Sequence, residues 1–386
     1  MPHHLPASTD VVVIGGGVVG LALAWRAAQR GLEVTVLERG RAGGGTSHVA
    51  AGMLAPVAEA DPSEQPLLAL GIAAAEAYPD FIAELRKCSP RDPGYLRCGT
   101  LVAARNADEA EALTRALGLR TDLGLPVARL RGSQARALEP ALSPSLRLAL
   151  ELPSDHAIDP RALTATLADA VGRAGGSVCE GAEVTQVECG NDRVSAVVLA
   201  GGRRIACEQV VIAAGAWSGQ IAGLPRGAEV PLRPVKGQIL HMHDPAGPGL
   251  LGRVLRLEGA YVVPRGDGRY VLGATVEERG FDETVTAGAV LELLREAAEL
   301  LPGLSELVVD ELLAGLRPGT PDNAPIIGPG AVNGLYWATG HYRGGVLLAP
   351  VTATLLAGML AGEEPEIDLA PFTPGRFAGI ELGAAR

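Results

Sequence analysis

Asp10-Val11-Val12-Val13-Ile14-Gly15-Gly16-Gly17-Val18-Val19-Gly20 is the stretch that decides the fold. An apolar run ends in a glycine turn, and an Ala-rich helical stretch, Leu21 to Arg30, follows at once. A second apolar run, Val34 to Leu37, then ends in Glu38. Strand, glycine turn, helix, strand and acid in that order hold a nucleotide diphosphate at a helix N-terminus. Gly15 permits the tight turn, Gly17 lets backbone N–H groups approach the pyrophosphate, and Gly20 lets the helix pack close. Glu38 follows Gly15 by about 20 residues, where a carboxylate accepts the ribose hydroxyls. The unit by itself fits a nicotinamide as well as a flavin dinucleotide.

The chain has 386 residues, enough for two domains. Hydrophobic residues at 47% supply a large core, and with aromatics at 3% Ala, Val and Leu must fill it. A net charge of -11 argues against nucleic acid or an anionic membrane as partner, while local arginines can still receive a small anion. Cys88, Cys98, Cys179, Cys189 and Cys207 are odd in number and form no CxxC pair. Neither a disulfide framework nor a metal site is expected, and a reducing cytoplasm fits. The N-terminus lacks a basic region followed by an apolar one. The run Val346 to Leu360 is shorter than the ~20 apolar residues of a membrane span. The composition therefore reads as a cytoplasmic protein with no membrane segment.

Periodicity predicts helices over Pro66 to Lys87, Asp108 to Leu117, Ser133 to Leu138, Arg161 to Ala174 and Ala287 to Leu301. Asp159-Pro160 is a cap followed by a first-position proline. Strands are expected over Tyr95 to Ala104, Ser177 to Val187, Val194 to Leu199 and Ile205 to Ala214. An alternating, strand-rich region covers Val230 to Ala274, and short strands return from Val308. The strand Gly334 to Thr339, the turn Gly340 to Gly345 and the helix Val346 to Leu360 mirror the opening unit. The last part of the chain should therefore return to the nucleotide-binding layer, which interleaves the domains.

Four further stretches stand in order along the chain: Thr46-Ser47-His48-Val49-Ala50-Ala51-Gly52-Met53-Leu54, Ala213-Ala214-Gly215-Ala216-Trp217-Ser218, Gly315-Leu316-Arg317-Pro318-Gly319-Thr320 and Gly340-His341-Tyr342-Arg343-Gly344-Gly345. With the opening unit they resemble the D-amino-acid-oxidase family of FAD enzymes, over residues 8–370. The resemblance implies an α/β fold, with a Rossmann-like FAD-binding domain at 8–88, 145–222 and 308–370. Interleaved with it is an α+β substrate domain, 89–144 and 223–307, containing a mostly antiparallel sheet. Residues 371–386 form a C-terminal tail.

The same resemblance implies non-covalent FAD on Gly15, Gly17, Val18, Val19, Gly20, Glu38, Arg39, Gly45, Thr46, Ser47, Ala51, Gly52, Met53 and Val184. His341, Tyr342, Arg343, Gly344, Gly345, Val346 and Leu347 would line the flavin ring. It further implies that Arg317 clamps a substrate carboxylate, with Arg343 beside it and the Tyr261 hydroxyl donating to it. The implied reaction is oxidative deamination of glycine or a small amino acid. Hydride would pass from the α-carbon to flavin N5, dioxygen would reoxidise the flavin, and no side-chain base is needed. The branch of the family nearest in sequence implies a role in thiamine thiazole synthesis and a homotetrameric homo-oligomer. A broader D-amino-acid or sarcosine oxidase or dehydrogenase is the alternative.

Physical chemistry supports these roles on its own terms. A glycine turn opening an apolar helix gathers N–H groups and a helix dipole at one point, which favours negative charge on a reduced flavin. Arg317 follows Leu312-Leu313-Ala314-Gly315-Leu316, an improbable place for a surface charge, and its planar fork matches a carboxylate. Three departures from the family pattern stand out. Gly259 stands where relatives have a histidine, and Val276 where a longer methionine occurs, changes expected to reshape the substrate pocket. His48 is one residue out of register with the His-Ala-Ala-Gly pattern of covalently flavinylated relatives, and no cysteine follows Cys207.

Overall fold

The structure is a computed structural model that describes residues 5–379. Ser8–Ile14 is a strand whose Val11 and Val13 face one core and whose Val12 faces another. Burial on both faces explains why the sequence shows an unbroken apolar run instead of alternation. Val34–Glu38 pairs parallel on one side of it and Arg204–Ile212 parallel on the other. Ser177–Glu180 extends the sheet beyond Val34–Glu38. At the far side Arg204–Ile212 pairs with Arg193–Leu199 through its first half and with Leu335–Thr339 through its second. Val184–Gly190 and Ile326–Pro329 complete the eight strands.

The helices Val18–Gln29, Pro160–Arg173, Gln65–Cys88 and Gly345–Leu360 pack together on this sheet. Gly345–Leu360 is buried almost all round, which accounts for its apolar sequence without a membrane. Gln65–Cys88 is long and apolar enough to cross a membrane, yet it lays Leu70, Tyr78, Phe81, Ile82 and Leu85 into the same core. Trp25 meets Phe81 edge-on there at 5.4 Å.

A second sheet of eight strands runs in the order Val308–Gly319, Arg233–His243, Arg269–Gly273, Tyr261–Pro264, Val254–Arg256, Thr100–Ala104, Leu148–Leu152 and Ala128–Arg131. All its pairings are antiparallel except Val254–Arg256 with Thr100–Ala104. The helix Ala287–Leu300 covers one face through Leu293, Ala297 and Leu300. A three-stranded sheet of Met53–Leu54, His156–Ile158 and Tyr95–Leu96 completes the sheet structure.

Several expectations are corrected. Leu148–Leu152 was expected with the nucleotide-binding segment 145–222, and Val308–Gly319 with 308–370, but both hydrogen-bond into the second sheet. The chain crosses between sheets inside those segments. Ser177 to Val187 is two strands, because Gly181 turns the chain at φ +67°, and the second strand runs antiparallel to Arg193–Leu199. Tyr95 to Ala104 likewise splits, its halves entering different sheets. Of the expected tail 371–386, Phe372 and Phe377 are buried, while 380–386 lie outside the described residues.

The first turn is locked by close approach. Gly15 has φ +109°, and a Cβ on Gly20 would overlap the Gly15 carbonyl oxygen. Gly20→Ala should therefore lower the urea-unfolding midpoint, by about 1–3 kcal/mol of stability, through overpacking.

Candidate active site

A cavity of about 380 Å³ runs between the two sheets. Helix Val18–Gln29 begins at one part of it and helix Gly345–Leu360 at another, and the cap residue of each is a glycine, Gly17 and Gly344, with no side chain of its own to fill the N-terminus. Both helix dipoles therefore favour an anionic ligand there. Every position expected to hold the cofactor lines this cavity except Gly20. Gly20 acts through the packing of the turn, as its close approach to Gly15 shows.

At the nucleotide part, Glu38 accepts hydrogen bonds from Gly16 N at 2.7 Å and Gly40 N at 2.8 Å. The carboxylate thus ties the glycine turn to the loop after the second strand while facing the cavity. Ser47 Oγ accepts from Val18 N at 3.0 Å, and Thr46 Oγ1 donates to Leu316 O at 2.7 Å. The loop after Gly45 is fastened by these bonds between the first helix and the strand that carries Arg317. Arg39 lies over the Trp217 ring, 4.0 Å from its centroid, and both line the cavity.

At the other part of the cavity stand Tyr261, Arg317 and Arg343. Three glycines make the room. A Cβ on Gly237 would overlap the Arg317 guanidinium, which therefore lies across the neighbouring strand. A Cβ on Gly273, the cross-strand partner of Tyr261, would come 2.6 Å from the phenol oxygen. A Cβ on Gly315 would come 2.9 Å from Val49, so the loop seats on the Arg317 strand. Arg317 Nη1 donates to Thr275 O at 3.1 Å, which orients the fork. Burial raises the Tyr261 pKa, with Arg317 opposing, so the hydroxyl stays a donor at neutral pH. Arg343 is exposed and stacks on Tyr342 at 5.2 Å.

His341 is buried and its pKa is pushed down to about 4 by desolvation. Its Nε2 is 3.0 Å from Thr352 Oγ1. The imidazole is therefore neutral at the start of the helix whose dipole faces the cavity. Gly259 and Val276 do not line the cavity among the described residues, which corrects the expectation that they reshape it. Gly259 faces Glu296 on the outer helix, and Val276 is 62% exposed. His48 does not line it either, whereas its neighbour Val49 does.

Sequence reasoning did not single out Val49, Glu59, Gly237 or Thr339, all of which line the cavity, and it gave Trp217 no site role. Trp217 lies inside a quoted motif. Glu59 lies only just beyond another, with no local pattern to mark it.

A family model described as DAO, FAD dependent oxidoreductase, matches residues 10–359, and the chain belongs to this family of FAD-dependent oxidoreductases. Glycine oxidase of Geobacillus kaustophilus (strain HTA426) is 35% identical over 372 residues, 96% of this chain and 97% of that one. The bifunctional protein ThiO/ThiG of Synechocystis sp. is 34% identical, covering 97% of this chain and 55% of its own length. The crystal structure of glycine oxidase from Geobacillus kaustophilus superimposes with a TM-score of 0.90 at 34% identity, over 96% of this chain and 99% of that one.

The cavity fits FAD. It offers two glycine-capped helix N-termini, a glycine turn held by Glu38, and a glycine-lined path between them. The neutral state of His341 has a stability consequence. Unfolding takes up a proton between about pH 6.5 and the folded value of about 4, so acid in that window favours the unfolded chain. Stability should fall as the pH is lowered from 6.5 to 4, and His341→Gln should flatten that slope in thermal melts.

Proposed function

We propose that this chain oxidises glycine, or another small amino acid, to the corresponding oxo acid with release of ammonia. For glycine the balance is glycine + O2 + H2O to glyoxylate + NH3 + H2O2. The observation that carries this reading is the placement of Arg317, Tyr261 and Arg343 in the same cavity as the two helix N-termini. Its likeness over nearly the full chain to a glycine oxidase supports the choice of substrate.

Bound FAD supplies a two-electron acceptor for the hydride on the substrate's α-carbon. Gly15, Gly17, Val18, Val19, Glu38, Arg39, Gly45, Thr46, Ser47, Ala51, Gly52, Met53 and Val184 hold the nucleotide part. His341, Tyr342, Arg343, Gly344, Gly345, Val346 and Leu347, which line the cavity, would face the flavin ring. The helix N-terminus at Gly344–Gly345 stabilises negative charge developing there. Arg317 receives the substrate carboxylate, Tyr261 donates a second hydrogen bond, and Arg343 adds positive charge at the rim. Holding the carboxylate fixes where the α-carbon lies, so orientation does the catalytic work without a side-chain base. We infer that the FAD is held non-covalently, a reading supported by His48 not being among the cavity-lining residues.

Physiologically we place the enzyme in the cytoplasm, feeding thiamine thiazole synthesis. Five free cysteines and the likeness to ThiO/ThiG support that placement. We also infer a homo-oligomer, in the form of a homotetramer. Val308–Gly319 is a sheet edge on which Val308, Val309 and Leu312 are exposed. Light scattering on the purified holoenzyme should give four times the chain mass, and the monomer mass would remove this inference.

Arg317→Ala should keep its flavin and lose on the order of 100-fold or more in kcat/KM, since removing a charged clamp costs about 2–5 kcal/mol. An unchanged kcat/KM would refute the clamp. A panel of glycine, sarcosine, D-alanine and D-proline, ranked by kcat/KM, separates glycine oxidation from the broader alternative.

A further inference from the structure

The proposed reaction leaves Glu59, a cavity-lining acid near the proposed carboxylate clamp, without a task. Glu59 faces the same cavity as Tyr261, Arg317 and Arg343. Its carboxylate lies 2.9 Å from Arg256 Nη1, with both side chains about one quarter exposed. Arg256 is the cross-strand partner of Tyr261. A buried-edge acid and an extra arginine therefore meet beside the residues that receive the substrate carboxylate. Burial acts to raise the Glu59 pKa, but Arg256, Arg343 and Arg317 outweigh it, so the group is ionised at neutral pH.

The backbone before Glu59 is fixed from two sides. Asp155 accepts from Val57 N at 3.2 Å and from Ala58 N at 2.6 Å. Arg120 donates to Val57 O at 2.9 Å and to Ala58 O at 2.7 Å. These buried bonds fasten the backbone just before Glu59 to Asp155 and to the helix Ala107–Asp122, and the ion pair with Arg256 holds the carboxylate itself. A charge held in this way acts on whatever part of a ligand reaches it.

We propose that the Glu59–Arg256 ion pair sets the charge class of the substrate. It admits amino acids with a single carboxylate and turns away those carrying a second. The first carboxylate occupies Arg317 and Tyr261. A second acid group on the amine or side chain reaches toward Glu59 and meets a fixed negative charge. Arg256, which does not itself line the cavity, is the cation that Glu59 keeps occupied and that neutralising Glu59 would leave free. Glu59 stands on the carboxylate-binding side with the three arginines, so its negative charge opposes a second acid more than it serves the amine. The inference rests on the functional reading above only for where the first carboxylate binds.

The test uses FAD-loaded protein and two readouts. Acetate and malonate, as mono- and dicarboxylate probes, are titrated while the flavin spectrum reports binding. Glycine and iminodiacetate are compared by kcat/KM. Glu59→Gln should shift both ratios toward the dicarboxylate by about tenfold or more, because a like-charge contact is removed and a cation released. Glu59→Asp should keep the wild-type preference. Adding Arg256→Gln to Glu59→Gln should abolish the gain, which a merely structural role for Glu59 would not do. Equal losses for both members of each pair in Glu59→Gln would overturn the proposal. Wild-type protein that discriminates between acetate and malonate but turns over no amino acid would instead overturn the functional reading alone.

Discussion

The whole site depends on how closely the backbone of the first turn can fold on itself. The Gly15 carbonyl occupies the space where a Cβ on Gly20 would sit, so strand, turn and helix behave as one rigid corner. Glu38 fastens that corner to the following loop through Gly16 N and Gly40 N. Ser47 then ties the same helix to the next loop, and Thr46 ties that loop to the strand of Arg317. A continuous set of short bonds thus runs from the dinucleotide turn to the proposed carboxylate clamp. The second helix N-terminus, at Gly345–Leu360, is held in place by that helix packing against the first one.

The charge arrangement follows from the same construction. The two helix N-termini with Arg39, Arg317 and Arg343 make the cavity attractive to anions although the whole chain carries a net charge of -11. Neutral His341 adds no further positive charge near the ring, because desolvation keeps its pKa near 4. Glu59 is the acid nearest the proposed clamp, and its pairing with Arg256 limits how much positive charge is free there. The site is therefore tuned by a balance of close charges, and not by the overall field.

Much of this was legible in the sequence, and the reasons differ by residue. Gly15 to Glu38 could be read because the chemistry of a dinucleotide turn fixes both residue type and spacing. Arg317 could be read because a cation after five apolar residues needs a partner. The segments at Leu148–Leu152 and Val308–Gly319 could not be assigned to a sheet, since strand pairing is decided by long-range register and leaves no local pattern. Gly237 and Gly273 were invisible as site residues because their role is the space they leave for Arg317 and Tyr261. Glu59 was missed for a related reason. An acid in a loop reads as a solvated charge until folding places Arg256, distant in sequence, beside it.

Under the proposed function the cavity orients an amino acid's α-carbon toward bound FAD. The most direct measurement is anaerobic mixing of the FAD-loaded protein with glycine and with α-deuterated glycine, following the visible flavin absorbance. The account predicts saturable bleaching that is slower with the deuterated substrate, since the α C–H bond breaks in that step. Absorbance that stays unchanged with glycine and with every other small amino acid would contradict it.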